Sequence, residues 1–291
     1  MCVSIILFSC GTGGDSGQNN NGVSNEVLTQ GLDLDPTIVS GMVENIASPV
    51  ETAALLKSLN VEFSGSYLAP TTNVDELSTS FNQAFYLGIY AADLGYLNMY
   101  DKTNAVLEYI TAIKTLADAI RVGQFFDFST LKRLAQSNQN LDSLMYISVH
   151  SFNQMDSYLR SDKRGNLSTL MIAGVWLEGL YLATQVAKTN PHPDLKERIG
   201  EQKIIMSDLM LILETYKGDP SFAKLIADYN EIRAEFADVE ITIKKGEPTM
   251  VEEDGMLVIV QHDESNVAIS DESLQKIIAK TESIRNKLIS M

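Results

Sequence analysis

Apolar side chains recur every third or fourth residue through most of this chain, a period that a helix satisfies and a strand does not. The stripe Val106, Ile110, Ile113, Leu116 and Ile120 is the clearest case, with Glu108, Lys114 and Asp118 lying off it. Asn73 opens a long helix through Phe81, Phe85, Ile89, Ala92 and Tyr96 to Met99-Tyr100. Further helices are predicted over 36–46, 50–59, 141–159, 167–187, 195–216 and 220–236. Asp127 can cap a short one through Leu131 and Leu134. The period then shortens to two at Val239, Ile241 and Ile243, and Met256–Val260 forms a second strand. The two strands are expected to form a hairpin over about 238–261, followed by a last helix over 270–290. The fold class predicted is mainly α, an antiparallel helical bundle or stacked helical hairpins with a small β-hairpin near the C-terminus. It is read as a single domain over 25–291.

The composition supports a packed body: of 291 residues, 45% are apolar and 21% charged. The formal net charge of −16 argues against a nucleic-acid partner, which needs a cationic face. The segment 167–187 is long enough to cross a bilayer. Glu178 stands at its middle and Ser168, Thr169, Thr184 and Gln185 dilute it, which fits a buried core helix better. A faint internal repeat relates GIYAADLGYL (88–97) to GVWLEGLYL (174–182).

The first ten residues, MCVSIILFSC, end an apolar run on a cysteine, and a Gly- and Asn-rich stretch follows at once. Through Leu7, Ser9 and Cys10 this segment resembles the lipobox of bacterial lipoproteins, of Bacteroidota type, with Phe8 bulkier than the usual residue. The resemblance covers the N-terminus alone. It implies a signal peptide over 1–10, diacylation of the Cys10 thiol and a flexible tether over 11–24. No Lys or Arg precedes Lys57, whereas a signal peptide carries a basic start, so translation is expected to begin upstream of Met1. Gly11 stands where inner-membrane retention signals carry Asp. The resemblance therefore implies a lipid-anchored protein of the bacterial cell envelope, in the outer membrane, facing either the periplasm or the surface.

Chemical motifs are sparse. His150, His192 and His262 lack a second ligand at helical spacing, and no cysteine follows Cys10, so no metal site and no cofactor are expected. Neither a phosphate-binding glycine loop nor a nucleophile elbow is present. Glu252-Glu253-Asp254-Gly255 reads as a solvated turn. Asp93, His150, Asn153 and Glu178 are polar residues inside otherwise apolar helices. Each either reaches the helix rim and water or joins an interior network. Asp93 and Glu178 lie five and four residues past the repeat glycines, about 100° out of equivalence, which argues against their pairing. Tyr86, Tyr90, Tyr96 and Tyr100 surround Asp93, and Trp176 and Tyr181 surround Glu178. The candidate ligand cleft is therefore Tyr86, Tyr90, Asp93, His150, Asn153, Trp176 and Glu178, suited to a cation or a sugar.

Two functional readings follow. One is a non-catalytic interaction or scaffold protein, held at the membrane by its lipid anchor and binding another envelope protein. The other is a small-ligand binding module using the Tyr/Trp-lined cleft. No catalytic constellation is found, so no enzyme is expected.

Overall fold

The computed structural model describes residues 55–290, apart from positions 57, 60, 101, 138–140, 245–248, 254–255 and 261–263. The lipobox, Cys10, the tether, the helix expected over 36–46 and His262 lie outside the described residues. Within them are eight α-helices and four short strands. In chain order these are α1 (Ser80–Met99), α2 (Thr103–Ala119), α3 (Phe128–Ser137), α4 (Leu141–Ser161), α5 (Gly165–Thr189), α6 (Pro193–Glu214), α7 (Pro220–Glu235), β1 (Glu240–Lys244), β2 (Thr249–Glu253), β3 (Met256–Val260), β4 (Glu264–Ala268) and α8 (Asp271–Ile289).

Most boundaries have local causes. The Asp127 carboxylate accepts from the Thr130 amide at 3.0 Å and opens α3. Asp219 accepts from Ser221 at 2.7 Å and opens α7, with Pro220 in its first turn. Ser270 does the same for α8 through Ser273, at 3.0 Å. One start differs from expectation. Residues 74–76 form a separate 3-10 turn, and α1 begins only at Ser80, where the Thr79 hydroxyl accepts from Asn82 at 3.1 Å.

The core is organised about α1 and α5. Both are nearly enclosed, and the most apolar 18-residue window of α5 is 94% buried within the protein. The two helices run in the same direction. Their N-terminal ends share one aromatic cluster: Phe81 meets Phe222 edge-on at 5.4 Å, and Phe222 packs on Tyr216 beneath Gly165. Their C-terminal ends share Tyr67, which lies 6.4 Å from the Tyr96 ring and hydrogen-bonds Thr189 at 3.2 Å. The neighbours α2 and α6 complete two helical hairpins whose first helices pack side by side.

That close packing has a specific basis. A Cβ placed on Gly88 would stand 2.0 Å from the Met171 carbonyl oxygen, and one on Gly174 would stand 2.2 Å from that of Phe85. The contact is reciprocal: each glycine touches the residue three before the other. These are the matching glycines of the faint repeat, so the repeat marks a local two-fold relation between the helices.

The C-terminal strands depart from expectation. β3 pairs with β2, not with β1: Thr249 stands opposite Val260 and Glu253 opposite Met256. β1 pairs with β4, from Glu240 opposite Ala268 to Lys244 opposite Glu264. Both pairs are antiparallel, one nested in the sequence of the other. The sequence between the inner strands is Asp-Gly, the composition that two-residue hairpin connections favour. Glu252 and Glu253, read as part of a turn, belong to the strand before it.

The glycine crossing gives a paired prediction. Gly88→Ala should destabilise the protein by about 2 kcal/mol or more, since helix separation outweighs the propensity gained. Gly95→Ala on the same helix, where an added methyl meets nothing within 4 Å, should be neutral or stabilise by up to about 1 kcal/mol. Urea unfolding of both variants checks this.

Candidate functional site

One turn beyond the glycine crossing, Asp93 on α1 and Glu178 on α5 meet. Both are fully buried, at 0% exposure, so the rim reading fails for both. The objection from helical rotation fails too. Where two backbones touch, side chains one turn on are within reach despite an angular offset, and the glutamate is longer by a methylene.

Arg285 of α8, 3% exposed, completes the cluster. Its Nε donates to Glu178 Oε2 at 2.9 Å and its Nη2 to Oε1 at 2.5 Å, a two-pronged pairing. The guanidinium lies over the Tyr181 ring at 4.2 Å. Nη2 also donates to the Tyr67 carbonyl at 3.1 Å. Asp93 Oδ2 accepts from the Ala69 amide at 3.0 Å.

Two tyrosines hold the same loop. The Tyr90 hydroxyl donates to the Pro70 carbonyl at 3.0 Å, and that of Tyr109 donates to the Ala69 carbonyl. The rings of Tyr86, Tyr90 and Tyr109 form an edge-to-face ladder with centroid spacings of 5.8 and 5.6 Å. At its end the Tyr86 hydroxyl donates to the Ile289 carbonyl at 2.7 Å. Side chains from α1, α2 and α8 thus tie down residues 67–70, including the buried amide and carbonyl of Ala69, which would otherwise lack partners.

The protonation state follows from the charges. Two carboxyls and one guanidinium share this interior, so one carboxyl must be neutral. Burial raises the Asp93 pKa well above the usual range, and the adjacent Glu178 charge raises it further. Burial raises Glu178 as well, but Arg285 opposes it. Asp93 therefore carries the proton. As a carboxylate its Oδ1 would have no donor; as an acid it donates toward Glu178. Burial likewise raises the Tyr86, Tyr90 and Tyr109 hydroxyls above their ordinary value.

The remaining residues of the expected cleft lie elsewhere. Trp176 is buried against Tyr229, with centroids 5.7 Å apart, and donates to Gln202 at 3.1 Å. His150 and Asn153 are exposed on α4, and the His150 ring stacks on Tyr146 at 6.0 Å. The cleft therefore divides into a sealed acid–tyrosine cluster and a separate groove. The groove lies between α1 and α4, holds about 60 Å³, and is lined by residues that include Ala91, Gly95, Asn98, Val149, Phe152 and Asn153. Neither Asp93 nor Glu178 lines it. A cation or sugar reading of the cluster is thus corrected: the carboxylate already has its cation in Arg285. Sequence reasoning missed Arg285, Tyr109 and the 67–70 loop. The available signal was an arginine on the apolar stripe Ile278, Thr281, Ile284 and Leu288.

No protein family, characterised protein or solved structure matches this chain. Its site must be read from its own chemistry. Among the described residues no group of three or more His, Cys, Asp or Glu side chains is placed to hold a metal ion. The acid cluster can hold a proton and a loop; both carboxylates are shut off from solvent.

Arg285→Met should cost about 3–5 kcal/mol, because it strands the Glu178 charge. Asp93→Asn should fold, since an amide keeps both bonds. Folding raises the Asp93 pKa above its unfolded value of about 3.9. Its contribution to stability is therefore complete below that value and declines as pH rises toward the folded pKa. Thermal unfolding between about pH 5 and pH 9 should show the native protein losing stability as pH rises, with a flatter profile for Asp93→Asn. A steeper profile in the variant would contradict this assignment.

Proposed function

We propose that this chain is a lipid-anchored protein of the bacterial cell envelope, in the outer membrane, whose helical body works by binding and not by catalysis. The observation that carries the reading is Leu7-Phe8-Ser9-Cys10 followed directly by a polar, Gly- and Asn-rich stretch, the arrangement of a lipid-modified cysteine on a tether. Two acyl chains on Cys10 supply the two hydrophobic signals that stable anchoring requires, at roughly 0.8 kcal/mol per buried CH₂. The body lends support in its use of acids. Asp93 and Glu178, the carboxyls best placed for chemistry, are spent on holding residues 67–70.

Between the two binding readings, the structure supplies an argument for a ligand over a protein partner: the α1–α4 groove is open, apolar and narrow. That groove takes the place of the Tyr/Trp-lined cleft in this proposal. Binding of another envelope protein is the second reading, favoured by the exposed Tyr146, 71% accessible on the same helix that forms one wall of the groove.

Cys10→Ser should move the protein from the membrane to the soluble fraction and abolish incorporation of radiolabelled palmitate. A variant that stays in the membrane, unlabelled, would defeat the anchor.

A further inference from the structure

The groove between α1 and α4 carries a more specific assignment. Its α1 wall runs from Leu87 to Asn98, eleven positions further on, or about 16 Å at the rise of an α-helix. Small residues make it open: Ala91 and Gly95 face it, and a methyl added at Gly95 would meet nothing within 4 Å. None of the described lining residues is charged. The groove is partly open to solvent, and the space between its walls, about 60 Å³, is too little to enclose a fused ring system but lets a chain lie along it partly covered. The shape admits one thin chain.

Asn98 stands at one end. It is 2% exposed, it lines the groove, and among the described residues no donor reaches its Oδ1. An unpaired amide oxygen in an apolar site is costly unless something donates to it. The molecule thus offers a long apolar slot, closed to charge, with one waiting acceptor.

We infer that this groove binds a neutral single-chain aliphatic molecule whose hydroxyl or amide head donates a hydrogen bond to Asn98 Oδ1. An anionic head such as a fatty carboxylate is disfavoured, because no cation is among the described lining residues and the chain carries a net charge of −16. A sugar is disfavoured, because it would need many polar partners at once. This assignment rests on the binding reading above but not on the lipid anchor, and the two fail separately.

The test uses the full-length Cys10→Ser chain, expressed without acylation and purified without detergent, since detergent would compete for the groove. Titration calorimetry compares 1-decanol with 1-methoxydecane, which keeps an oxygen and a similar chain but has no donor. Saturable 1:1 binding of decanol is expected, with the ether bound about tenfold more weakly, as an unpaired buried acceptor implies. Gly95→Leu fills the slot on a helix that tolerates leucine and should abolish binding of both. Asn98→Leu should bind both alike. Absence of saturable decanol binding would overturn the assignment, as would equal affinity for the ether in the unsubstituted groove or indifference to Gly95→Leu. A concentration-dependent dimer removed by Gly95→Leu would overturn it in favour of a second copy of the chain as occupant. The decanol–ether comparison requires no substitution in the lining, so it decides the matter even if a variant fails to fold.

Discussion

Two helix backbones touch where Gly88 meets Gly174, and the interior of this protein is arranged by that contact. Side chains normally hold packed helices 8–10 Å apart. With no Cβ on either side, α1 and α5 come closer and share a direction. Carboxyls that would otherwise lie on separate faces are then forced into one space. Two acids so placed cannot both be charged. The solution here is a division of roles: Asp93 keeps a proton, Glu178 keeps its charge, and Arg285 crosses from α8 to neutralise it. The same arginine and the same aspartic acid then fix the backbone at Tyr67 and Ala69. Helix packing, charge state and loop position are therefore one problem with one solution.

The helical plan was legible because amphipathic stripes are local. Val106 to Ile120 specifies its buried face without reference to any neighbour, and Asp127, Pro220 and Ser270 signal helix starts within a few residues. The start of α1 was misread because Asn73-Val-Asp-Glu carries a helical signature that yields only a short turn before Thr79 caps the real helix. Strand pairing was harder. Alternation identifies a strand but not its partner, and β1 finds its partner in β4 across the whole inner hairpin. Two glutamates at the end of β2 hid the strand nearest to β3.

The site was partly legible. Asp93, Glu178 and the tyrosines Tyr86, Tyr90, Tyr96 and Tyr181 stood out as polar groups in apolar company, and all of these are interior. What sequence spacing could not supply was the parallel crossing, since helical-wheel arithmetic treats each helix alone. His150 and Asn153 share a helix and a surface but not the acids' environment. Polarity inside an apolar stripe thus had two physical causes: burial in a network at Asp93 and Glu178, and exposure along an open groove at Asn153.

Glu178 and Arg285 are 107 residues apart in the chain. Synthesis at 5–20 residues per second separates their emergence by about 5 to 20 s. Throughout that interval α5 holds a carboxyl with no counter-charge, at the spot where α1 must close upon it. Full pairing of the interior charges therefore waits for α8, the last of the described helices.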